Sequence, residues 1–179
     1  MMKRPIFYTL LGLVLLLTIL FSNFNKDLRF VNSKVATPSV SQITDKKTYL
    51  VSRVVDGDTI EIEGKVKVRY IGIDTPETVD PRRPVGCFGN EASNKNKELV
   101  LGKQVRLEKD ISETDKYGRL LRYVYVGNVF VNKYLVEEGF ARATSHPPNV
   151  KYQEIFRAAE KTAQEGNKGL WGSCFSGNL

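Results

Sequence analysis

The sequence predicts an α+β domain, mainly β, built on a five-stranded Greek-key barrel of the OB type with three helices. Three observations support this fold class. Short segments that alternate apolar and polar residues begin near Lys46 and are separated by turn residues. One helical segment follows the third strand, and two more come near the end of the chain. A barrel of this type closes its sheet edges and leaves one outer face for a ligand. We expect the domain to span residues 45–179.

The first three predicted strands form a meander. Apolar residues occur at positions of both parities over 49–55, which predicts the first strand. Isoleucine and glutamate alternate over 60–63, the pattern of a half-buried strand. A turn at Glu63-Gly64-Lys65 then leads to a third strand over 66–70, where apolar and basic residues alternate.

A loop, a helix and a fourth strand follow. The segment 78–90 contains two prolines and two glycines, which predicts a loop. Glu91 to Leu101 has a helical pattern that Gly102 ends. Val105 and Leu107 begin the next strand.

A hairpin and two helices complete the predicted domain. Leu120–Val126 and Val129–Val131 pair around Gly127-Asn128, a dipeptide typical of tight hairpins. A short helix then ends at Gly139. The last helix is predicted over 150–164, with one apolar stripe made of Tyr152, Ile155, Phe156, Ala159 and Ala163.

Charged residues cluster in three short segments, Val55-Asp56-Gly57-Asp58-Thr59, Arg69–Glu77 and Asp115–Arg119. Asp58 follows a glycine that allows a sharp turn, and Asp74 ends a strand, so the two carboxylates can meet at one rim of the barrel. We predict that they bind a metal ion, with Asp56 reaching it through a water. Oxygen ligands without His or Cys favour Ca²⁺ or Mg²⁺ over zinc.

Two arginines and one glutamate complete the predicted chemistry. A phosphodiester is anionic, so its cleavage depends mostly on positioning and charge neutralisation. Arg119, and Arg69 on the predicted strand of Asp74, offer planar donors that match phosphate oxygens. Glu77 is a candidate to orient or deprotonate the attacking water. Each residue alone also fits a polar turn or a solvated surface; the three segments together favour a site that cleaves phosphodiesters.

These segments resemble the thermonuclease, or staphylococcal-nuclease-like, family over residues 47–172. The matching strings are VDGDT at 55–59, RYIGIDTPET at 69–78, DKYGR at 115–119, VN at 131–132, EGFA at 138–141 and GLW at 169–171. The resemblance implies an OB-fold and Ca²⁺-dependent hydrolysis of both DNA and RNA that leaves 3′-phosphate ends.

The resemblance also implies residue roles. It assigns Asp58, Asp74 and the backbone carbonyl of Thr75 to Ca²⁺. It assigns catalysis to Arg69, Glu77 and Arg119. It places Lys116 and Tyr117 beside the terminal phosphate of the bound nucleotide, and it leaves open whether Glu77 is the base or positions the water.

The chain departs from the family pattern near its predicted nucleotide site. The family prototype has a tyrosine against the base after the segment matching Phe140-Ala141, whereas residues 142–146 contain none. Stacking contributes about 1–3 kcal/mol per base, so we expect weaker or differently placed base contacts. The loop 78–90, with Arg82 and Arg83, is a feature of this chain and a candidate contact to the substrate backbone. The single histidine, His146, is interpreted as structural or incidental.

Residues 1–21 form a predicted signal peptide or transmembrane anchor. Lys3 and Arg4 precede an apolar run of 16 residues from Ile6 to Phe21, between a signal-peptide core and a full span in length. The basic flank predicts that the N-terminus stays in the cytoplasm. No Ala-x-Ala pattern follows, which favours an anchor over a cleaved signal. With 22–44 as a flexible linker, the domain is expected outside the cytoplasm, membrane-anchored or secreted.

The net charge and the cysteines add two constraints. The net charge is +7, but residues 1–44 hold five Lys/Arg and one Asp, leaving 22 Lys/Arg and 19 Asp/Glu in residues 45–179. The domain is only mildly basic, so a prediction of nucleic-acid binding must rest on the three charged segments rather than on the net charge.

Cys87 and Cys174 are the only cysteines. In an exported domain we expect them to form a disulfide, the alternative being two buried thiols.

The leading interpretation is therefore an exported, monomeric, Ca²⁺-dependent nuclease acting on DNA and RNA. Two alternatives from other classes are a non-catalytic, membrane-tethered nucleic-acid-binding OB module and a membrane-tethered protein-interaction domain. The enzyme is favoured because every residue that the reaction needs is present, namely Asp58, Asp74, Glu77, Arg69 and Arg119.

Overall fold

The computed structural model describes residues 47–82 and 84–174. The strands are β1 (Thr48–Val54), β2 (Thr59–Ile62), β3 (Val66–Tyr70), β4 (Ile73–Asp74), β5 (Gln104–Glu108), β6 (Leu120–Val126), β7 (Val129–Phe130) and β8 (Arg142–Ala143). The helices are α1 (Gly89–Val100), α2 (Val131–Glu137), α3 (Gln153–Glu165) and α4 (Leu170–Ser173). The predicted anchor 1–21, the linker 22–44 and Arg83 lie outside the described residues. Within those residues, no helix is long and apolar enough to cross a membrane.

Five strands close into a barrel. Neighbours in the order β3-β2-β1-β5-β6 pair in antiparallel fashion, and β3 and β6 close the barrel by pairing in parallel. Strand β1 pairs with β5 through residues 48–50 and with β2 through residues 51–54. Its register shifts between Val51 and Arg53, an irregularity of the kind that bends a strand from one partner to the next. The predicted five-stranded OB-type barrel is confirmed.

The core lies inside the barrel and under two helices. Alternate side chains of the meander point inward, so Ile60, Val68 and Tyr70 are buried, as the sequence pattern predicts. Helix α2 packs against α3 and β6, and Leu135 of α2 and Phe156 of α3 are both at most 1% exposed.

The structure also contains the predicted disulfide. Cys87 precedes α1, Cys174 follows α4, and the two residues are bonded with Cα atoms 6.0 Å apart. The bond joins the loop before α1 to the residue that follows α4.

One prediction about the site strands is wrong. Arg69 and Asp74 do not share a strand, because Gly72 adopts φ +78° and turns the chain between β3 and β4. A Cβ at Gly72 would overlap the ring of Phe156, so both space and backbone conformation require glycine there. Strand β4 pairs instead with β8, in a small second sheet that the sequence did not predict.

The last predicted helix and the number of helices also differ from the prediction. Helix α3 begins at Gln153 rather than Val150, because residues 146–150 form a hydrogen-bonded turn. Ile155, assigned to the apolar stripe, is 42% exposed, whereas Phe156, Ala159 and Ala163 are buried as predicted. Helix α4 makes a fourth helix, with four residues, too short to show a period in the sequence.

Candidate active site

Asp58 is a fully buried carboxylate immediately before β2. It accepts hydrogen bonds from the hydroxyl of Thr59 at 3.1 Å and from the backbone N–H of Thr75 at 2.9 Å. It also pairs with the guanidinium of Arg69. Burial raises the pKa of Asp58 to about 7, against the lowering effect of Arg69 and with a further rise from Asp56. A carboxylate so placed needs a positive partner, either the arginine or a metal ion.

The turn before Asp58 is held against the rest of the site. The backbone N–H of Asp58 donates to Oδ1 of Asp56 at 3.1 Å. A Cβ at Gly57 would lie 2.7 Å from the side chain of Thr75, so only glycine lets the two segments approach this closely. The amide of Asn96, buried in α1, donates to the carbonyl of Asp56 at 3.1 Å. The turn is therefore fixed both to Thr75 and to α1.

Arg69 joins the two predicted metal ligands. From β3 its guanidinium pairs with buried Asp58 and, at 2.6 Å, with Asp74, whose side chain is 57% exposed. Burial alone would lower the pKa of Arg69, but the charges of Asp58 and Asp74 outweigh it and the net shift is upward. The buried carboxylate of Asp58 and the exposed carboxylate of Asp74 thus share one guanidinium, that of Arg69. A positive charge is therefore favoured at the position between them.

Glu77 lies on the loop just beyond these residues. Its Oε1 accepts three backbone hydrogen bonds, from Thr78 at 2.9 Å, Val79 at 2.7 Å and Asp80 at 3.1 Å. The Val79 bond, together with those from Asp80 and Thr78, lowers the pKa of Glu77. A carboxyl with a lowered pKa is a weak base at neutral pH.

These residues line one cavity of about 550 Å³, here called the acidic cavity. Its charged lining residues are Asp56, Asp58, Asp74, Glu77, Arg69 and Arg142. The predicted metal and water-handling residues therefore lie together, and Thr75 lies in the same wall.

The third charged segment forms a tight turn organised by Asp115. Its carboxylate accepts hydrogen bonds from the backbone N–H groups of Tyr117 at 2.9 Å and Arg119 at 3.0 Å, and from Nε of Arg119 at 2.7 Å. Burial alone would raise the pKa of Asp115, but these bonds outweigh it and the pKa is lowered. Gly118 takes φ +76° within the turn. The guanidinium of Arg119 then lies 5.5 Å from the ring of Tyr117.

The turn lines a second cavity of about 490 Å³, here called the tyrosine cavity. Tyr117 is 72% exposed at its edge, and Lys116, Arg119 and His146 lie in its walls. Parallel pairing of β3 with β6 brings the turn beside Arg69, which lines both cavities. Arg69 and Arg119 therefore both line the tyrosine cavity, and the predicted carboxylates line the acidic cavity. Arg69 lies between the two cavities and belongs to both.

Comparison with known proteins supplies the family. The family model described as "Staphylococcal nuclease homologue" matches residues 67–173, more than half of the chain. The chain belongs to the staphylococcal nuclease homologue family. The thermonuclease of Staphylococcus hyicus is 48% identical over 130 residues, which cover 71% of this chain and 77% of that protein.

Two further relatives agree with this membership. The thermonuclease of Staphylococcus intermedius is 47% identical over 128 residues, covering 70% of this chain and 76% of that protein. Endonuclease YncB of Bacillus subtilis (strain 168) is 41% identical over 143 residues, covering 77% of this chain and 68% of that protein. As a member of the staphylococcal nuclease homologue family, the protein is a nuclease, a hydrolase whose substrate is nucleic acid. The non-catalytic alternatives are set aside.

A hard divalent cation fits the donors that the family implies. Within 47–82 and 84–174, no three His, Cys, Asp or Glu side chains form a metal-binding group by themselves. The predicted set instead combines two carboxylates, of Asp58 and Asp74, with the carbonyl of Thr75. All three donors are oxygens, which suits Ca²⁺. The double ion pair of Arg69 marks the same position as one that favours positive charge.

Three further residues support the candidate site and were not predicted from the sequence. Asp115 lies in the predicted DKYGR motif without a predicted role of its own, although an Asp followed by Gly within four residues is a known turn signal. Asn96 joins α1 to the Asp56 turn, and Arg142 enters the acidic cavity from β8. Neither has a local sequence signal, because each contact joins segments far apart in the chain.

Proposed function

We propose that the protein is an exported, Ca²⁺-dependent nuclease that hydrolyses DNA and RNA and leaves 3′-phosphate ends. The observation that supports this best is the pairing of one guanidinium, Arg69, with a buried and an exposed carboxylate. With a divalent cation held by the two carboxylates, this group would be net positive and would suit an anionic substrate whose transition state gains further negative charge.

Asp58, Asp74 and the Thr75 carbonyl are the proposed ligands of Ca²⁺, with Asp56 acting through a water. When bound, the ion would neutralise charge on the phosphate and lower the pKa of a nearby water. Asp58 is held by Thr59, and its contact with the Thr75 N–H keeps the proposed ligands close to one another. This rigidity favours one fixed position for the phosphate.

Arg69 and Arg119 are the proposed phosphate-binding and catalytic arginines. Each is oriented by acidic partners, Arg69 by Asp58 and Asp74, and Arg119 by Asp115. On substrate binding these guanidinium groups would exchange carboxylate oxygens for phosphate oxygens, which they match in geometry. Their positive charge would then lower the energy of the pentacoordinate transition state.

Glu77 is proposed to position the attacking water rather than to remove its proton as a strong base. Its lowered pKa keeps it ionised at neutral pH and makes it a weak proton acceptor. A negative carboxylate can still accept a hydrogen bond from a water and orient it towards the phosphorus.

Lys116 and Tyr117 are the proposed contacts to the terminal phosphate of the nucleotide in the tyrosine cavity. The ammonium of Lys116 lies 5.0 Å from the ring of Tyr117, so charge and aromatic surface are offered together. Residues 142–146 contribute no tyrosine, and we expect base contacts to be weak and sequence preference to be low.

The location outside the cytoplasm rests on residues 1–21 alone. The basic start and the apolar run to Phe21 support export, with the protein retained on the membrane or released. We propose that the domain acts as a monomer.

The test is cleavage by the purified protein of single-stranded DNA and of RNA, with Ca²⁺ and then with chelator. We expect both substrates to be cut only with Ca²⁺, and end-group analysis to find 3′-phosphates and 5′-hydroxyls. Cleavage that persists in chelator would refute the metal dependence. Cleavage that leaves 5′-phosphates would refute the proposed bond specificity.

A further inference from the structure

A third cavity, of about 550 Å³, shares no lining residue with the other two and is here called the basic cavity. Its walls come from the start of β1, the end of β5, the start of β6 and the turn before α3. Among its described lining residues one is acidic, Glu108, and five are cations, namely Lys47, Arg106, Lys109, Arg122 and Lys151. The proposed reaction uses none of these residues.

Two carboxylates lie among the five cations, and each is paired with two of them. Glu108 pairs with Lys151 at 2.6 Å, and Glu113 pairs with Lys109 at 2.7 Å. Each carboxylate also pairs with one of the two arginines. Within the part of the chain that the structure describes, Lys47 pairs with no carboxylate and lies 5.1 Å from an aromatic ring. The cavity therefore keeps an excess of positive charge after its ion pairs are counted.

This excess equals the net charge of the whole domain. Five cations against Glu108 and Glu113 leave three positive charges at the cavity. Residues 45–179 hold 22 Lys/Arg and 19 Asp/Glu, which is also an excess of three. The charges of the remaining residues therefore balance. A local excess of this kind attracts a polyanion or a negatively charged surface.

The basic cavity and the tyrosine cavity lie on opposite sides of β6. Leu120 and Arg122 line the basic cavity, whereas Arg119 and Leu121 line the tyrosine cavity. This alternation follows from the strand, in which successive side chains point to opposite faces. A ligand in the basic cavity therefore leaves the tyrosine cavity open.

The chain enters the domain at the basic cavity. Lys47 directly precedes β1, and the predicted linker 22–44 and anchor 1–21 come before it in the chain. A flexible chain as long as this linker has a root-mean-square span of about 24–29 Å, only a few times the Debye length of about 8 Å at physiological salt. A membrane that holds the anchor is therefore within reach of the cavity.

The cations of this cavity suit the headgroups of anionic lipids better than a nucleic-acid strand. Single strands bind grooves that combine cations with exposed aromatic rings, on which the bases stack. The one aromatic residue among the described lining residues, Tyr49, is half-buried and lies 5.1 Å from the ammonium of Lys47. The side chains of Lys109 and Lys151 are each 50% exposed and can follow phosphates at the surface of a bilayer.

We propose that the basic cavity docks the domain onto a bilayer that contains anionic phospholipid, with Lys47, Lys109 and Lys151 among the headgroup phosphates. This inference rests on the proposed location outside the cytoplasm and adds the surface that turns towards the membrane. An anchor alone would leave the domain free to rotate at the end of its linker. The basic cavity fixes the orientation of the domain, with the tyrosine cavity on the other side of β6 and open to substrate.

Lysine footprinting of the full-length chain tests the docking. The protein is reconstituted into vesicles of phosphatidylcholine, or of phosphatidylcholine and phosphatidylglycerol in equal parts, and the acetylation rate of each lysine is measured by mass spectrometry. We expect Lys47, Lys109 and Lys151 to react several-fold more slowly on the anionic vesicles, and Lys161 on α3 to react equally on both. Salt at about 1 M, where the Debye length is about 3 Å, should remove the difference. Equal rates for the three lysines on both vesicles would overturn the inference.

Lys47→Gln combined with Lys109→Gln removes two of the five cations. The free energy that each lysine contributes near an anionic surface predicts that the ratio of docked to undocked protein falls about thirtyfold, read from the protection of Lys151. The matched control is Arg157→Gln with Lys161→Gln, which removes two exposed cations of α3 that line none of the three cavities. The control should keep the protection. An equal loss in both variants would overturn the inference, because net charge rather than the cavity would then explain the docking.

Oligonucleotide binding separates a lipid surface from a nucleic-acid surface. In chelator, calorimetry should give the same affinity for a single-stranded oligonucleotide with the wild type and with the variant that lacks Lys47 and Lys109. Weaker binding by this variant would make the cavity a nucleic-acid surface and overturn the inference.

The same vesicles separate this inference from the proposed function. If the wild type does not remain with neutral vesicles, the anchor is refuted, and docking is measured as co-sedimentation of the free chain with anionic vesicles. Absence of co-sedimentation would then overturn the inference, and its loss in the variant that lacks Lys47 and Lys109 would support it. Absence of Ca²⁺-dependent cleavage would refute the proposed nuclease mechanism and leave the footprint to decide the docking.

Discussion

Replacing both Cys87 and Cys174 by serine removes a cross-link between residues separated by 87 positions in the chain. The chain-entropy relation for a loop of this length predicts a loss of about 4.6 kcal/mol, and removal of native disulfides commonly costs about 2–5 kcal/mol. With an unfolding entropy of about 2.1 cal/mol/K per residue over the 127 described residues, a loss of about 2–4.6 kcal/mol lowers Tm by about 8–17 °C.

The disulfide also restrains the loop that bears Glu77. The N–H of Gly86 donates to the carbonyl of Glu77 at 2.8 Å, and Cys87 is the next residue. Opening the cross-link releases this loop at one end, so we expect kcat to fall several-fold at temperatures where the variant remains folded. The assays are calorimetric unfolding and initial rates at 20 °C, about the temperature of maximum stability for most domains. Wild-type protein treated with reductant should reproduce both effects.

The control for this prediction is Leu135→Ala, a buried position in α2 that is not part of the loop 78–88. Such a truncation costs about 2–5 kcal/mol, comparable to the disulfide, and should leave kcat nearly unchanged. A Tm that is the same with and without the cross-link would refute the entropy argument. An equal fall of kcat in Leu135→Ala would show that lost stability, rather than a released loop, explains the activity.

Three further predictions concern the charged residues. Arg119→Lys keeps the charge but loses the planar donors, so kcat should fall about 10²–10³-fold while Tm stays within about 3 °C. A kcat within twofold of the wild-type value would contradict the proposed catalytic role of Arg119. Ca²⁺ at about 100 times its Kd should stabilise the wild type against unfolding by about 2.7 kcal/mol, measured as a rise in Tm. Asp58→Asn should abolish this rise. A rise that persists in the variant would show that Ca²⁺ binds elsewhere. Asp115→Asn should raise KM by loosening the Tyr117 turn, with kcat less affected, and a steady KM for oligonucleotides would argue against that positioning role.

The periodic part of the fold was readable from the sequence. Alternation over 60–63 and 66–70 predicted which side chains of the meander are buried, because successive residues of a strand point to opposite faces. The Gly127-Asn128 turn predicted the hairpin of β6 and β7 in the same way. Local patterns did not predict features that depend on tertiary packing. Helix α4 has only four residues and shows no period, and Ile155 follows the helical period of α3 yet is largely exposed to solvent.

Sequence by itself identified the candidate site residues of this nuclease, because carboxylates and arginines in fixed short motifs are recognisable without coordinates. Only the tertiary structure decided how they meet. Arg69 pairs with both Asp58 and Asp74 because the chain turns at Gly72 between β3 and β4. It lines both cavities because β3 closes the barrel against β6. Arg142 reaches the acidic cavity through a strand pairing between distant segments. Such contacts depend on where the chain closes on itself, which no local sequence period encodes.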